Sequence, residues 1–105
     1  MNKENTETKR AMVSFTVTSV IDGDTFDVTP GWKWNNETGT RIRPAGYDAP
    51  ELERIGGQEA RHKLSLLVYR ETVELGRAYR IDRGRLVCEV FFRGRNLAEY
   101  FPECG

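Results

Sequence analysis

The stretch VSFTVTSVIDGDTFDV, residues 13–28, decides the fold class of this chain. From Val13 to Thr18, apolar residues alternate with hydroxyl-bearing residues, and most of them are β-branched. A period of two in β-branched residues indicates a half-buried strand. Asp22-Gly23-Asp24 then makes a tight turn or bulge, and residues 25–28 resume as a second strand. The sequence therefore predicts a folded part that begins with β-structure.

Downstream of this stretch, the pattern stays mainly β. Turn residues between positions 30 and 39 predict a long hairpin connection, which carries Trp32 and Trp34 and leads to a third strand over residues 40–47. The two tryptophans either stack on unpaired bases or shield apolar structure, and we favour the structural role.

The second half of the chain adds a helix and two more strands. Apolar residues at positions 60, 64, 67 and 68 have the spacing of an amphipathic helix over residues 58–70. Two strands follow, from near residue 73 and from residue 86. Asn96 with Glu99 three residues later is typical of the N-cap of a short final helix, which Pro102 ends. This order of elements predicts a closed barrel with a helical plug.

Composition indicates one small domain with no overall attraction for phosphate. The chain has 105 residues and a formal net charge of zero. Residues 1–10 are polar and charged, so we expect a disordered tail before a domain over residues 11–105. The two cysteines lack the spacing of a zinc site or of a disulfide framework. No segment is long and apolar enough for a membrane, and we expect a monomer, cytoplasmic if the chain is complete and secreted if a leader was removed.

Residues 77–95 form a basic segment on this neutral chain. They hold six arginines against two acids. Such a segment favours contact with phosphate. A solvated strand and loop explains the same charges equally well.

The first cluster that could carry chemistry is Asp22-Gly23-Asp24. Two carboxylates around a glycine at a strand junction can offer hard oxygen ligands to a divalent cation. The same residues are also typical of a hairpin turn, which is their commoner use. The other ligand positions of an EF-hand are missing from the sequence.

The second cluster, residues 41–51, combines cations and acids in a rigid turn. Arg41 and Arg43 project from one face of a strand. Asp48 and Glu51 are separated by an Ala-Pro pair that fixes the backbone. This set serves either a phosphoryl-transfer centre or a surface ion-pair network.

The third cluster is the Asp-Arg-Gly-Arg turn at residues 82–85. An arginine directly after a turn glycine can point its planar guanidinium group at two phosphate oxygens. By itself this motif is weak evidence for phosphate binding.

In this order, the three clusters resemble the staphylococcal-nuclease (thermonuclease) family. The motifs are Ile-Asp-Gly-Asp-Thr at 21–25, Arg-(x)4-Asp-x-Pro-Glu at 43–51, Asp-x-Gly-Arg at 82–85 and Gly-Arg-Asn-Leu-Ala-Glu at 94–99. The resemblance runs from about Val13 to Gly105. It implies a mainly β fold with helices (α+β), namely an OB-type five-stranded β-barrel with one amphipathic helix and a short C-terminal helix. It also implies cleavage of DNA or RNA with calcium (Ca2+).

The resemblance further implies roles for individual residues. The implied metal ligands are Asp24, Asp48 and the backbone carbonyl of Ala49. Asp22 is implied to support these ligands without binding the metal itself. The implied catalytic residues are Glu51 as general base and Arg43 and Arg85 as the groups that neutralise charge on the phosphoryl group. The chemistry suits these residue types, because attack on a phosphodiester builds negative charge on the non-bridging oxygens.

The chain departs from the family in three ways. The turn at 82–85 is one residue shorter and lacks the aromatic residue usual before its glycine, the stretch from Glu51 to the helix is short, and the family's last helix is missing. The alternative function is therefore a catalytically silent module of the same fold that binds nucleic acid or protein. The acids beside the arginines favour the enzyme, because a binding module gains nothing from acids that repel phosphate.

Overall fold

Five strands form a closed β-barrel in the computed structural model, which describes residues 13–105. The strands are β1 (Ser14–Asp22), β2 (Thr25–Trp34), β3 (Glu37–Pro44), β4 (Thr72–Asp82) and β5 (Arg85–Phe92). Helix α1 (Gly57–Val68) lies between β3 and β4 in the chain. After β5 come a two-residue strand, β6 (Arg95–Asn96), and two 3₁₀ helices, Leu97–Tyr100 and Pro102–Cys104. The predicted tail, residues 1–10, lies outside the described residues.

The barrel closes because β3, at one end of the strand order, also pairs with β5, near the other end. The sheet order is β3-β2-β1-β4-β5-β6, and β3 then pairs in parallel with β5, with Ile42 beside Leu86 and Arg43 beside Val87. Closure pairs backbone groups that an edge strand would expose. The prediction of a mainly β barrel with helices is confirmed, and the architecture is consistent with an OB-type barrel.

Helix α1 covers the barrel with the apolar stripe that its sequence predicts. Ala60, Leu64 and Val68 are buried, and Leu67 is partly buried against the core. The large core side chains beneath and around them include Phe26, Ile42, Val90, Leu97 and Phe101. Burial of this stripe is what fixes the helix, because a single helix of this length is marginal in water.

The predicted end of the helix at residue 70 is wrong by two residues. Tyr69 is already extended, with φ −61° and ψ 125°. Arg70 has a φ of 67°, and its N–H donates to the carbonyl of Val17 at 3.0 Å. The chain leaves the helix early because this backbone contact with β1 replaces the next helical hydrogen bond.

The prediction of a long connection over residues 30–39 is also wrong. Strand β2 continues to Trp34, and β3 begins at Glu37. Asn35 and Asn36 join them with φ values of 51° and 66°, as a two-residue hairpin turn requires. The Pro-Gly pair at 30–31 is accommodated where the β2–β3 register shifts between Asp27 and Trp32, since irregular pairing tolerates residues that weaken a ladder.

Trp32 has the structural role that we favoured. Its side chain is buried, and its indole N–H donates to the carbonyl of Arg41 at 2.9 Å. Trp34 is partly buried and packs against the same core. The β2–β3 hairpin is therefore an apolar extension of the barrel wall.

The C-terminal segment contains two 3₁₀ helices where the sequence predicted one short final helix. Asn96 forms the N-cap, because its side chain accepts a hydrogen bond from the N–H of Ala98 at 3.0 Å. Glu99 does not complete a capping box; its carboxylate pairs with Arg95 instead. Cys88 and Cys104 are free thiols. Within residues 13–105, no helix combines the length and the apolar character that crossing a bilayer requires.

Candidate active site

The turn between β1 and β2 presents its second carboxylate, Asp24, to the interior of a cleft. Its backbone N–H donates to Oδ1 of Asp22 at 3.1 Å, so the first carboxylate shapes the turn that carries the second. A Cβ atom on Gly23 would lie 2.6 Å from Cβ of Ala60 and 2.7 Å from Cβ of Ala49. Glycine is required at this position because the turn packs directly under helix α1.

A tyrosine fixes the same turn from below. The hydroxyl of Tyr47 donates to the carbonyl of Gly23 at 2.8 Å, and its ring stacks on Phe101 with centroids 4.5 Å apart. Burial raises the pKa of the Tyr47 hydroxyl well above its ordinary range, so this group stays a donor. Tyr47 is a core residue, and it holds the acidic turn in place.

Asp24 is a buried carboxylate that is only partly compensated. It is 7% exposed, and its Oδ2 accepts hydrogen bonds from the N–H of Ala49 at 3.0 Å and from Nη2 of Arg43 at 3.3 Å. Loss of water around it raises its pKa to about 6, although the Ala49 N–H and Arg43 oppose this shift. A cation at this position would offset the cost of burial.

The segment after β3 brings a second carboxylate to the same place. Nη2 of Arg43 also donates to Oδ1 of Asp48, at 2.9 Å. One guanidinium nitrogen therefore lies between Asp24 and Asp48, and the two carboxylates share one cation-sized region. The N–H of Asp48 donates to the carbonyl of Cys104 at 3.1 Å, while its side chain is 84% exposed.

Glu51 lines the cleft from the end of this segment. The residue is exposed to solvent, and its backbone carbonyl accepts a hydrogen bond from the N–H of Arg54 at 2.9 Å. The start of α1 packs against the same carbonyl, because a Cβ on Gly57 would collide with it. The backbone of Glu51 is thus fixed while its carboxylate remains in contact with water.

Arg85 enters the cleft from the opposite wall. Its Nη1 donates to the hydroxyl of Thr25 at 3.0 Å, and its Nη2 pairs with Oδ2 of Asp82 at 3.0 Å. The turn before it has φ values of 55° at Arg83 and 78° at Gly84, a two-residue hairpin turn. The shortened turn therefore still delivers Arg85 to the cleft.

All seven predicted site residues line one cleft of about 320 Å³. Its full lining is Asp22, Asp24, Arg43, Asp48, Ala49, Glu51, Arg80, Asp82, Arg83 and Arg85. Their chemical roles stay predictions, but the structure does bring the residues together. Arg80, Arg83 and Asp82 were not predicted as site residues; the basic run at 77–95 was the signal that pointed to this wall.

The donor set fits a hard divalent cation that accepts backbone and water oxygens. Asp24 and Asp48 converge, and Ala49 lies next to them in the cleft. No three His, Cys, Asp or Glu side chains within residues 13–105 are grouped closely enough to hold a metal by themselves. A hard cation held here would complete its coordination with backbone and water oxygens.

Comparison with known proteins finds a similar protein that is named as an endonuclease. A protein of Haemophilus influenzae that is named an uncharacterized endonuclease is 33% identical to this chain over 82 residues. This chain is similar to an endonuclease. The match takes in 77% of the chain but only 43% of the relative, so the chain spans less than half of that protein's length. No family model matches the chain.

Proposed function

We propose that this domain is a calcium-dependent nuclease that hydrolyses phosphodiester bonds in DNA or RNA. The observation that carries the proposal is the meeting of Asp24, Asp48 and Glu51 with Arg43 and Arg85 in one cleft. The similarity to a protein named as an endonuclease supports it. The motifs typical of the staphylococcal-nuclease family support it from a separate direction.

The acidic wall would hold the cation. Asp24, Asp48 and the carbonyl of Ala49 are its proposed ligands, and Asp22 keeps the turn in shape through the N–H of Asp24. Bound calcium would supply a Lewis acid beside the phosphate. The region is already suited to positive charge, since the Arg43 guanidinium lies between the two carboxylates.

The remaining groups would handle the proton and the phosphate charge. Glu51, exposed at the mouth of the cleft, would take the proton of the attacking water. Arg43 and Arg85 approach from two neighbouring strands, and their planar forks match phosphate oxygens. The Asp48 side chain is 84% exposed while Arg43 is 17% exposed, so Asp48 can turn into water when a phosphate takes its place beside Arg43.

The alternative is a silent module that binds nucleic acid or protein. The cleft holds five carboxylates against four arginines, which weakens its overall attraction for phosphate in the absence of a cation. Without calcium, this charge balance favours weak binding. With calcium, the balance reverses sign, and the enzyme assignment explains why the acids are grouped.

Incubation with labelled single-stranded DNA and RNA, with calcium or with a chelator, tests the proposal. We expect cleavage with calcium and none with the chelator. Binding without products in both conditions would support the silent module, and cleavage that persists in the chelator would rule out the proposed cofactor.

Glu51→Gln tests the proposed base, with Glu53→Gln as a matched control from the same loop. Glu53 is exposed but does not line the cleft. A positioned base contributes roughly 10²–10⁴ in rate, so we expect turnover to fall at least a hundredfold for Glu51→Gln and to stay unchanged for Glu53→Gln. Turnover of Glu51→Gln equal to the parent protein would remove this residue from the mechanism.

A further inference from the structure

The outer face of β4 carries arginines that have no carboxylate partner. Arg77, Arg80 and Arg83 follow one another toward the turn, and none forms an ion pair with any residue in the described range 13–105. Glu89 lies close by, but its carboxylate accepts from the backbone N–H of Arg77 at 3.1 Å. This strip keeps its positive charge available to a ligand.

A β-bulge explains why two successive side chains face outward in this strip. Ala78 pairs with Cys88 and Arg80 pairs with Val87, so Tyr79 is an extra residue on β4. Ala78 packs partly buried against the core, and strict alternation would turn Arg80 inward as well. The bulge re-aims the strand, and both Tyr79 and Arg80 are exposed.

Tyr79 places an aromatic ring among these arginines. The residue is 44% exposed, so part of its ring is open to a ligand. The guanidinium of Arg77 lies 5.2 Å from the ring centroid and holds the ring in place. An ordered, partly exposed ring next to free arginines is the arrangement that stacks a base while phosphates are neutralised.

The strip is continuous with the candidate active site. Arg80 and Arg83 line the cleft, and Arg77 and Tyr79 lie further along β4. A strand rises about 3.3 Å per residue, so the three positions from Arg80 back to Arg77 extend the cleft by about 10 Å. A polyanion that enters the cleft therefore has a charged path along β4.

We propose that the Arg77–Tyr79–Arg80 strip binds a single-stranded segment of nucleic acid that continues out of the cleft. Tyr79 stacks an unpaired base, and Arg77 and Arg80 contact the phosphates on either side of it. Single strands are selected because a base paired in a duplex has no free face for the ring. This inference rests on the proposed function for its ligand, but it concerns binding outside the reacting groups.

The chain offers a closely matched control. Tyr69 is 43% exposed and carries the guanidinium of Arg70 at 5.3 Å from its ring centroid. This second pair follows helix α1, and neither residue lines the cleft. Tyr69→Ala thus removes the same chemistry at a site without the proposed role.

Binding is measured by fluorescence anisotropy of a labelled 12-nucleotide DNA strand in chelator, so that no cleavage occurs. Loss of one stacking contact, worth ~1–3 kcal/mol, predicts an affinity about tenfold weaker for Tyr79→Ala. Tyr79→Phe retains the ring and should retain the affinity, and Tyr69→Ala should bind like the parent protein. Arg77→Gln with Arg80→Gln should reduce the slope of log K against log[salt] by about 1.4, at roughly 0.7 per phosphate contact.

Three results would overturn the inference. The first is an equal loss of DNA affinity in Tyr79→Ala and Tyr69→Ala, and the second is equal affinity of the protein for the single strand and for its duplex. The third is displacement of the bound strand by polyglutamate at equal charge concentration. Thermal unfolding of each variant shows whether a loss comes from the fold. Hydrolysis of a small aryl phosphodiester with calcium reports the chemistry alone. If binding depends on Tyr79 but no hydrolysis occurs, the proposed function is wrong and the proposed binding strip stands. If hydrolysis occurs but binding does not depend on Tyr79, the binding strip is wrong and the proposed function stands.

Discussion

The sequence Arg-Gly-Arg occurs twice in this protein, at the two ends of β5, and the two copies have different surroundings. Residues 83–85 lead into the strand, which begins at Arg85, and residues 93–95 follow it. Their backbones agree closely, with φ values of 55° and 78° at Arg83 and Gly84 and of 54° and 81° at Arg93 and Gly94. Both are two-residue hairpin turns of the kind that needs two left-handed residues.

The arginine after each turn meets a different environment. Arg85 is 17% exposed and is held by the Thr25 hydroxyl and the Asp82 carboxylate at the cleft. Arg95 is 59% exposed and is paired with Glu99 on the surface, over the ring of Tyr100. The same local sequence therefore builds the same turn, and only the barrel decides which copy faces a candidate active site.

Replacing the two arginines should produce the largest difference between the turns. In the proposed mechanism, Arg85→Ala removes a donor aimed at the phosphate, which typically costs about 10²–10³ in turnover, so we expect a loss of at least a hundredfold. Arg95→Ala should leave turnover unchanged, because its guanidinium contacts only Glu99 and Tyr100 among the described contacts. Initial rates on single-stranded DNA with calcium give both values. Equal rates for the two variants would show that Arg85 has no special role.

Replacing the glycine should lower the free energy of unfolding by the same amount at both turns. A Cβ added to Gly84 or to Gly94 would meet nothing within 4 Å, so the penalty is that of the left-handed backbone alone. Gly84→Ala and Gly94→Ala should each lower the free energy of unfolding by about 1–2 kcal/mol in urea melts. A much larger cost at one turn would mean that the turns are not equivalent backbones.

The side chain that supports Arg85 should give the smallest effect. Thr25→Val keeps the shape and removes the hydroxyl that accepts from Nη1 of Arg85 at 3.0 Å and donates to Oδ1 of Asp24 at the longer distance of 3.4 Å. Loss of the shorter hydrogen bond, about 0.5–1.5 kcal/mol, predicts a roughly two- to tenfold loss in turnover. Glu99→Gln weakens the ion pair with Arg95. It should leave turnover unchanged and should alter the free energy of unfolding by no more than a few tenths of a kcal/mol. If both variants cleave like the parent, Arg85 does not depend on Thr25 for its position.

These turns also show how far the sequence alone could lead. The barrel was predictable because alternation over residues 13–18 and the helical stripe at Ala60, Leu64 and Val68 are local signals. The two-residue turn at 35–36 was hidden by the Pro-Gly pair, which lies inside β2 where the register is irregular. A prediction from sequence pattern assumes regular strand pairing, so it ended β2 at the Pro-Gly pair, although the strand continues through these residues.

The candidate site was predictable as a set of residues but not in full. The clustering of acids and arginines singled out three segments, and the resemblance to the staphylococcal-nuclease family picked Asp24, Asp48, Glu51 and Arg85 from them; all four line the cleft. Arg80 was missed because a bulge, which depends on partner strand β5, turns it outward. The packing requirement at Gly23 was missed for the same reason, since it depends on a helix more than 30 residues later, at Ala60.

The parallel pairing of β3 with β5 has a consequence for how the protein acquires its cleft. Arg43 lies on one side of that seam and Arg85 just beyond its other side, with Ile42 paired to Leu86. Contacts between residues so distant in the chain form slowly, because the loop-closure entropy must be lost before they contribute stability. If the hairpins have formed but β3 and β5 have not yet paired, both arginines are present but the cleft that they line is not. In a refolding experiment, recovery of secondary structure should therefore precede recovery of the proposed nuclease activity.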